Sequence, residues 1–194
     1  MAGASPAILV VPGGLIASRP PQRAARHCHP GMNRQAATSP AMPRSFKVPV
    51  STLIVVYDPR LHVLLLERAD FRDHWQSVTG SQEPGESLPA TATRELLEET
   101  GIDAARHGGV VDWHLCNVYE IYAQWRHRYP PGTTHNMEHV FGLQVPGPVA
   151  VRLAPDEHVA FRWLPWREAA ERCFSWSNRE AILRLPRVGK RIAQ

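Results

Sequence analysis

The chain has 194 residues, 43% of them hydrophobic, which suits one domain with an appendage or at most two small domains. Its formal net charge is +4, but the charge is unevenly placed. Five of the 22 basic residues and no acidic residue lie within residues 1–45, which leaves 17 basic against 18 acidic side chains in the remainder. The body is therefore nearly neutral, which argues against a nucleic-acid-binding surface.

Cysteine content and hydropathy exclude two further classes. The cysteines, Cys28, Cys116 and Cys173, are few, odd in number and far apart, so a disulfide framework or a structural zinc site is not expected. No apolar run approaches the roughly 20 residues that a membrane-spanning helix needs. We therefore expect reduced thiols and a cytoplasmic protein without a membrane partner. The sequence leaves the oligomeric state open.

Residues 1–45 differ in composition from the rest of the chain. They contain seven of the 18 prolines, with alanine, serine and arginine between them and no sustained hydrophobic period. Such a segment cannot bury enough apolar surface to offset the entropy of ordering it. We predict a disordered leader over 1–45, either a transit-like segment or sequence upstream of the true start, for which Met42 is favoured over Met32. The folded domain is predicted over 46–188.

From residue 47 the pattern alternates between strands and helices and predicts an α+β domain with a mixed sheet. Val48 to Tyr57 and His62 to Arg68 predict a hairpin, followed by a polar loop over 69–85. A helix is predicted from the N-cap Ser87 to Thr100, with Gly101 as its left-handed stop. One or two strands over 110–126 and further strands over 138–145 and 158–164 come next. A capping-box spacing from Ser177 to Glu180 predicts a last helix that ends before Pro186.

The first of these helices carries an unusual concentration of acid. Its three glutamates are Glu95, Glu98 and Glu99. At 100° per residue they share an arc of about 100°, while Leu96 and Leu97 are predicted to face the core. Either this is a solvated face with Arg94 as its counter-ion, or the crowded carboxylates bind a cation. Because neighbouring like charges repel and Mg²⁺ prefers oxygen ligands, the crowding favours a divalent-metal site.

The same helix completes a motif of 23 residues. Gly80, Glu86 and the run Arg94-Glu95-Leu96-Leu97-Glu98-Glu99-Thr100-Gly101-Ile102 have the spacing of the Nudix box. The chain resembles Nudix hydrolases over about 47–186. The resemblance implies an α/β/α sandwich around a mixed sheet, and attack of water on a nucleoside diphosphate linked to another group. It implies Mg²⁺ as the cofactor, with Mn²⁺ as a substitute. A Nudix domain kept only for binding usually lacks box glutamates, and none is missing here.

The resemblance also implies roles for the residues of the box. Glu95 and Glu99 match metal ligands, and Glu98 matches a residue that binds a further metal ion or orients the water. Arg94 matches the arginine that positions the glutamates, so the implied catalytic residues are Glu98, Glu99 and Arg94. Gly80 is expected to let the loop approach the helix closely, and Glu86 is expected to brace it.

Stretches outside the box indicate the substrate. They resemble the bacterial branch of the family that acts on dihydroneopterin triphosphate. The matching stretches are Lys47 to Ser51, Trp75 to Gly80, Arg126 to Tyr129 with Pro131-Gly132, Glu157-His158, and Ser175 to Arg179. This likeness implies release of pyrophosphate from a small-molecule triphosphate in folate biosynthesis. The alternative is a housekeeping nucleoside triphosphate pyrophosphatase that hydrolyses, for example, dATP.

The same likeness supplies candidate residues outside the box. Glu157 is implied as a third metal ligand, with a plain surface turn as the alternative and Glu138 as the second candidate. The implied substrate-binding residues are Lys47, Arg68, Thr79, Tyr119, Glu120, Ile121, Tyr122, His158 and Ser175. The tyrosines either stack on a flat pterin or pack in the core, and His158 either donates to the ligand or is structural. Trp75 and Trp176 either line the pocket or anchor the packing. Arg126 and Arg128 are expected to hold the triphosphate.

Overall fold

The computed structural model describes residues 46–192, with side chains described up to residue 188. The leader predicted over 1–45 and the start favoured at Met42 lie outside the described residues. Within residues 46–192, no helix is both long enough and apolar enough to cross a membrane.

A mixed sheet of seven strands forms the centre of the domain. The strands are β1 (Val50–Tyr57), β2 (His62–Arg68), β3 (Trp75–Gln76), β4 (Val78–Ser81), β5 (Val111–Glu120), β6 (His135–Gln144) and β7 (His158–Pro165). The main order is β3-β2-β1-β6-β5, with β4 paired to β1 and β7 paired to β2. β1 is parallel to β6 and antiparallel to β2 and β4, as the prediction of a mixed sheet required.

Helices cover both faces of this sheet. They are α1 (Leu88–Thr100), α2 (Trp166–Arg172) and α3 (Trp176–Ile192), and short 3-10 helices span Ala104–His107 and Ala123–Arg128. Because alternate residues of β1 point to opposite sides, two apolar cores form. The core under α2 and α3 includes Leu53, Val55, Tyr57, Ile182 and Leu185, and the core under α1 includes Ile54, Val56, Ala92, Leu96 and Phe141. The predicted α+β sandwich is confirmed.

The ends of α1 follow the local sequence signals. The Ser87 hydroxyl accepts a hydrogen bond from the Ala90 N–H at 3.4 Å, and Pro89 lies in the first turn, where its missing N–H costs nothing. Gly101 ends the helix with φ of 70°, and its N–H donates to the Leu97 carbonyl at 2.8 Å. These contacts confirm both predicted caps.

The predicted orientation of α1 was partly wrong. Leu96 is fully buried, but Leu97 is 49% exposed and Glu99 only 2%. On a helical wheel, Ala92, Leu96 and Glu99 fall within one narrow arc, and Leu97 lies well outside it. The buried side of α1 is centred on that arc and does not extend to Leu97, so the helix buries a glutamate and leaves a leucine in solvent.

Other differences from the predicted elements have non-local causes. The region 110–126 contains one strand, β5, which ends at Glu120, and the chain then enters the 3-10 helix Ala123–Arg128. The predicted polar loop 69–85 contains two short strands, β3 and β4. α2 was not predicted.

α3 starts one residue before the predicted capping box. The hydroxyl that caps its first turn belongs to Ser175 rather than to Ser177, and it accepts a hydrogen bond from the Asn178 N–H at 3.3 Å. The helix also continues through Pro186, because Leu185 and Val188 pack on the core on either side of that proline.

Asn178 fixes the start of α3 to the sheet. Its side chain is fully buried; Oδ1 accepts from the Ser77 N–H at 2.7 Å and Nδ2 donates to the Ser77 hydroxyl at 2.9 Å. Asn178→Ala should lower the free energy of unfolding by about 2–3 kcal/mol, because a buried N–H is left unpaired. Urea unfolding tests this, with Gln144→Ala, at an exposed amide on β6, as the control. Equal stability of the two variants would contradict the assignment.

Candidate active site

A cleft of about 760 Å³ opens where β1, β4, β5 and β7 meet the start of α3. All nine predicted substrate-binding residues line it: Lys47, Arg68, Thr79, Tyr119, Glu120, Ile121, Tyr122, His158 and Ser175. Glu99, Glu157 and Glu138 line it as well. The structure thus brings the candidates outside the box together with part of the box itself.

Arg94 links three glutamates beside the cleft. Its Nε and Nη2 donate to the two Glu86 oxygens at 2.9 and 3.0 Å. Its Nη1 donates to Glu95 at 2.9 Å and to Glu98 at 3.1 Å, and Nη2 also donates to the Ser81 carbonyl at 3.1 Å. A guanidinium has five N–H donors in a fixed plane, so these five bonds use all of them. Arg94 therefore holds the box carboxylates in fixed positions and offsets their repulsion.

Glu86 is the anchor of this network. The paired Arg94 guanidinium lowers the pKa of Glu86 to about 2, assisted by hydrogen bonds from the Thr91 hydroxyl at 2.8 Å and from the Glu83 N–H at 3.2 Å. A carboxylate with so many donors stays ionised across the physiological range. Its position agrees with the bracing role predicted from the sequence.

Gly80 lies against Glu95 without room for a side chain. A Cβ built on Gly80 would lie 1.7 Å from Cδ of Glu95. Only glycine therefore lets β4 run this close to α1, as expected from the sequence. The approach buries Glu95, which is 13% exposed, and burial raises the pKa of Glu95 to about 7 against the opposing effect of Arg94.

The deepest carboxylate is Glu99, which pairs with His158. Glu99 Oε2 lies 2.9 Å from His158 Nε2, and each side chain is 2% exposed. Burial raises the pKa of Glu99, although His158 and the Thr79 backbone N–H both favour the ionised form. His158 is thus hydrogen-bonded to Glu99 and forms part of the cleft wall. Within the described residues, its Nδ1 is buried without a hydrogen-bond partner.

Glu157 completes a cluster suited to a cation. One ligand atom each from Glu99, Glu157 and His158 lies within 4.8 Å of the others. Hard divalent cations take carboxylate oxygens, so this donor set fits a divalent metal. Glu95 is not a member of this cluster and gives one oxygen to Arg94. Glu98 is 59% exposed and does not line the cleft, so the roles of Glu95 and Glu98 remain predictions.

Basic side chains surround the cleft, but several are already paired. Arg68 forms two hydrogen bonds with Asp70, at 2.8 and 2.7 Å, and Arg126 pairs with Glu120. Within residues 46–188, Lys47 and Arg128 form no ion pair. Burial lowers the pKa of Lys47, and the charge of Arg128 lowers it further. Two unpaired like charges side by side make an attractive position for an anion.

Aromatic rings form another wall of the cleft. Tyr122 is 51% exposed and contacts Trp125 edge-on with ring centroids 5.3 Å apart. The Arg68 guanidinium lies 5.4 Å from the same Trp125 ring. Trp125 was missed from the sequence because it falls in a region predicted as strand. Trp176 lines the cleft and is 56% exposed, whereas Trp75 is 2% exposed in the core and does not line it.

The remaining candidates at this end have structural partners. Ile121 is 3% exposed, and its carbonyl accepts from Arg126 at 3.0 Å. The Tyr119 hydroxyl accepts from Asn136 at 3.1 Å, and burial raises the pKa of Tyr119 to about 12. Tyr119 therefore contributes a neutral hydroxyl to the cleft.

The NUDIX domain family matches residues 47–185, nearly the whole described region. The chain belongs to this family. The Nudix domain is 44% identical over 139 residues to the dihydroneopterin triphosphate diphosphatase of Escherichia coli K12. The aligned region covers 71% of this chain and 91% of that protein. The domain is 37% identical over 134 residues to the protein of the same name from Haemophilus influenzae, and this match covers 68% of this chain and 84% of that protein.

A solved structure shows the same fold. The structure of the E. coli dihydroneopterin triphosphate pyrophosphohydrolase superposes with a TM-score of 0.66 at 43% identity, over 71% of this chain and 94% of that one. The Nudix family and fold expected from the box are thus confirmed, and with them a hydrolase that uses a divalent metal.

Proposed function

We propose that this Nudix hydrolase converts dihydroneopterin triphosphate into dihydroneopterin monophosphate and pyrophosphate in folate biosynthesis. The 44% identity to the E. coli diphosphatase, across 91% of that protein, carries the proposal. The box is complete, and the candidate residues outside it line one cleft, which is consistent with the activity.

We infer that Mg²⁺ is the metal, with Mn²⁺ able to replace it. Glu99 and Glu157 would hold it, together with Glu95 of the box, and Glu98 would bind a further metal ion or orient the water. When bound, the metal neutralises phosphate charge and lowers the pKa of a water molecule.

The protein supplies position and charge around that centre. His158 and the Thr79 N–H orient the Glu99 carboxylate, and Arg94 fixes Glu95 and Glu98 through its bonds to Glu86. Preorganised groups of this kind need no rearrangement during the reaction.

The substrate is expected to lie along the cleft with its phosphates near Lys47 and Arg128. Both are unpaired among the described side chains, so they can offset triphosphate charge. The flat ring would lie against the aromatic wall of Tyr122 and Trp125, where stacking adds about 0.5–1.5 kcal/mol beyond burial. The same acidic centre would also cleave a nucleoside triphosphate such as dATP, so the ring end of the cleft decides between the two substrates.

Product analysis tests the reaction. The full chain incubated with dihydroneopterin triphosphate and Mg²⁺ should release pyrophosphate and the monophosphate in equal amounts. EDTA should stop the reaction, and Mg²⁺ or Mn²⁺ should restore it. Release of orthophosphate with dihydroneopterin diphosphate, or turnover that EDTA leaves unchanged, would contradict the proposal.

A further inference from the structure

A polar row crosses the sheet at the floor of the cleft. Ser51 of β1 is paired in register with Ser81 of β4 on one side and with Glu138 of β6 on the other. Glu138 is in turn paired with Asn117 of β5. Residues paired across strands face the same side of a sheet, and Ser51, Ser81 and Glu138 all line the cleft.

Glu138 is the unusual member of this row. It is only 5% exposed, and its carboxylate accepts from the Asn117 amide at 3.4 Å, near the limit for a hydrogen bond, and from the Ser177 side chain. Burial raises the pKa of Glu138 more than hydrogen bonds from Ser177 and Asn117 lower it. Within residues 46–188 no lysine or arginine forms an ion pair with it. An ionised carboxylate has about four acceptor positions, so Glu138 keeps acceptor capacity at the floor of the cleft.

Glu138 lies apart from the acidic centre. It does not belong to the described cluster of Glu99, Glu157 and His158, whose ligand atoms lie within 4.8 Å of one another. The Thr79 N–H reaches Glu99, and Thr79 is two residues from Ser81 on β4. With about 3.3 Å per residue along a strand and about 4.8 Å between strands, the Cα atoms of Thr79 and Glu138 are roughly 12 Å apart. That separation suits the two ends of one extended ligand.

We propose that Glu138 recognises the heterocycle of the substrate by accepting hydrogen bonds from two adjacent N–H groups on its edge. This inference rests on the proposed function and names the residue that selects the ring. A 2-amino-4-oxo pterin presents such a pair, at N3 and at the 2-amino group, to the two oxygens of one carboxylate. Charge-assisted bidentate pairs are strong and geometrically specific.

The same geometry separates nucleotides into two groups. Guanine carries the equivalent donor pair at N1 and its 2-amino group. Adenine places an acceptor, N1, beside its amino donor, which would set a lone pair against the buried carboxylate. A site built for a hydrogen-bonding partner rejects an analogue that leaves its buried groups unpaired. Glu138 should therefore favour the pterin and guanine triphosphates over dATP.

Glu138→Gln tests this with almost no change in shape. Glutamine keeps one acceptor oxygen but sets an NH₂ group against the second ring donor. The KM for dihydroneopterin triphosphate should rise about 30- to 100-fold with kcat within threefold, as for the loss of a hydrogen-bonded specificity contact. The KM for dGTP should rise in parallel, whereas that for dATP should not rise, because the glutamine NH₂ can donate to adenine N1 and removes the clash with the carboxylate. Glu168→Gln, an exposed glutamate on α2, controls for the loss of charge.

Binding of free dihydroneopterin, followed by its fluorescence, gives a readout that does not depend on turnover. Wild type should bind it at least 10-fold more tightly than Glu138→Gln. Three outcomes would each overturn the inference. They are an equal rise in KM for all three triphosphates, a fall in kcat without a rise in KM, and unchanged binding of dihydroneopterin. If wild type does not cleave the pterin triphosphate, the proposed function fails by itself, and the dGTP-to-dATP ratio in the two proteins still decides the role of Glu138.

Discussion

Replacing Glu99 with glutamine is expected to lower kcat about 10³-fold and leave the fold intact. Glu99 is the most buried acid of the site, and one of its oxygens lies within 4.8 Å of a Glu157 oxygen and of a His158 ring nitrogen. A metal contributes several kcal/mol to stabilisation of charge in the transition state, and about 4 kcal/mol corresponds to 10³ in rate. Glutamine keeps an oxygen that can accept from the Thr79 N–H, so the surrounding packing should survive.

The comparison needs two measurements on the same protein. Steady-state kinetics with Mg²⁺ gives kcat, and calorimetric titration of Mg²⁺ gives the affinity, which should fall at least 10-fold. Glu168→Gln removes the same charge from an exposed position on α2 and should match wild type in both. Near-wild-type kcat in Glu99→Gln, with a normal thermal midpoint, would mean that Glu99 is not a metal ligand.

The second large effect is expected for Gly80→Ala. The new methyl carbon would lie 1.7 Å from Cδ of Glu95, so Glu95 must leave its position and its bond to Arg94. Overpacking of this kind costs about 1–3 kcal/mol, and displacement of a box carboxylate should lower kcat/KM about 10²-fold. Kinetics and thermal unfolding of the purified variant check both effects.

Gly147→Ala is the matched control. The space around Gly147 is open to at least 4 Å, and its backbone is not in the left-handed region. The same added methyl group should therefore leave rate and stability near the wild-type values. If Gly80→Ala and Gly147→Ala behaved alike, the close approach of β4 to α1 would have no role in the site.

Local signals made much of the box predictable. The caps of α1 depend on Ser87, Pro89 and Gly101, whose conformational preferences act within a few residues. The close contact of Gly80 with the helix also followed from the motif. By contrast, the burial of Glu99 and the exposure of Leu97 depend on which arc of α1 the sheet covers. That arc is set by long-range pairing, which a helical wheel alone does not contain.

The site outside the box was predictable only through resemblance. Glu157 and His158 follow Glu99 by more than 50 residues, and the fold alone brings the three together. The bond between His158 and Glu99 was not foreseen, since histidine offered two equally reasonable roles. Trp125 was missed because its region is β-rich in composition, although the chain forms a 3-10 helix there. The position of Glu138 in a polar row depends on the register of four strands.

The most direct test of the account is a comparison of two substrates on one enzyme. Purified protein with Mg²⁺ would be given dihydroneopterin triphosphate and, separately, dATP, and released pyrophosphate would be followed to obtain kcat/KM for each. The kcat/KM for the pterin triphosphate should be at least 10-fold higher than that for dATP, as expected when a buried hydrogen-bonding group selects the ring. An equal or higher value for dATP would contradict it and would assign the cleft to nucleotides.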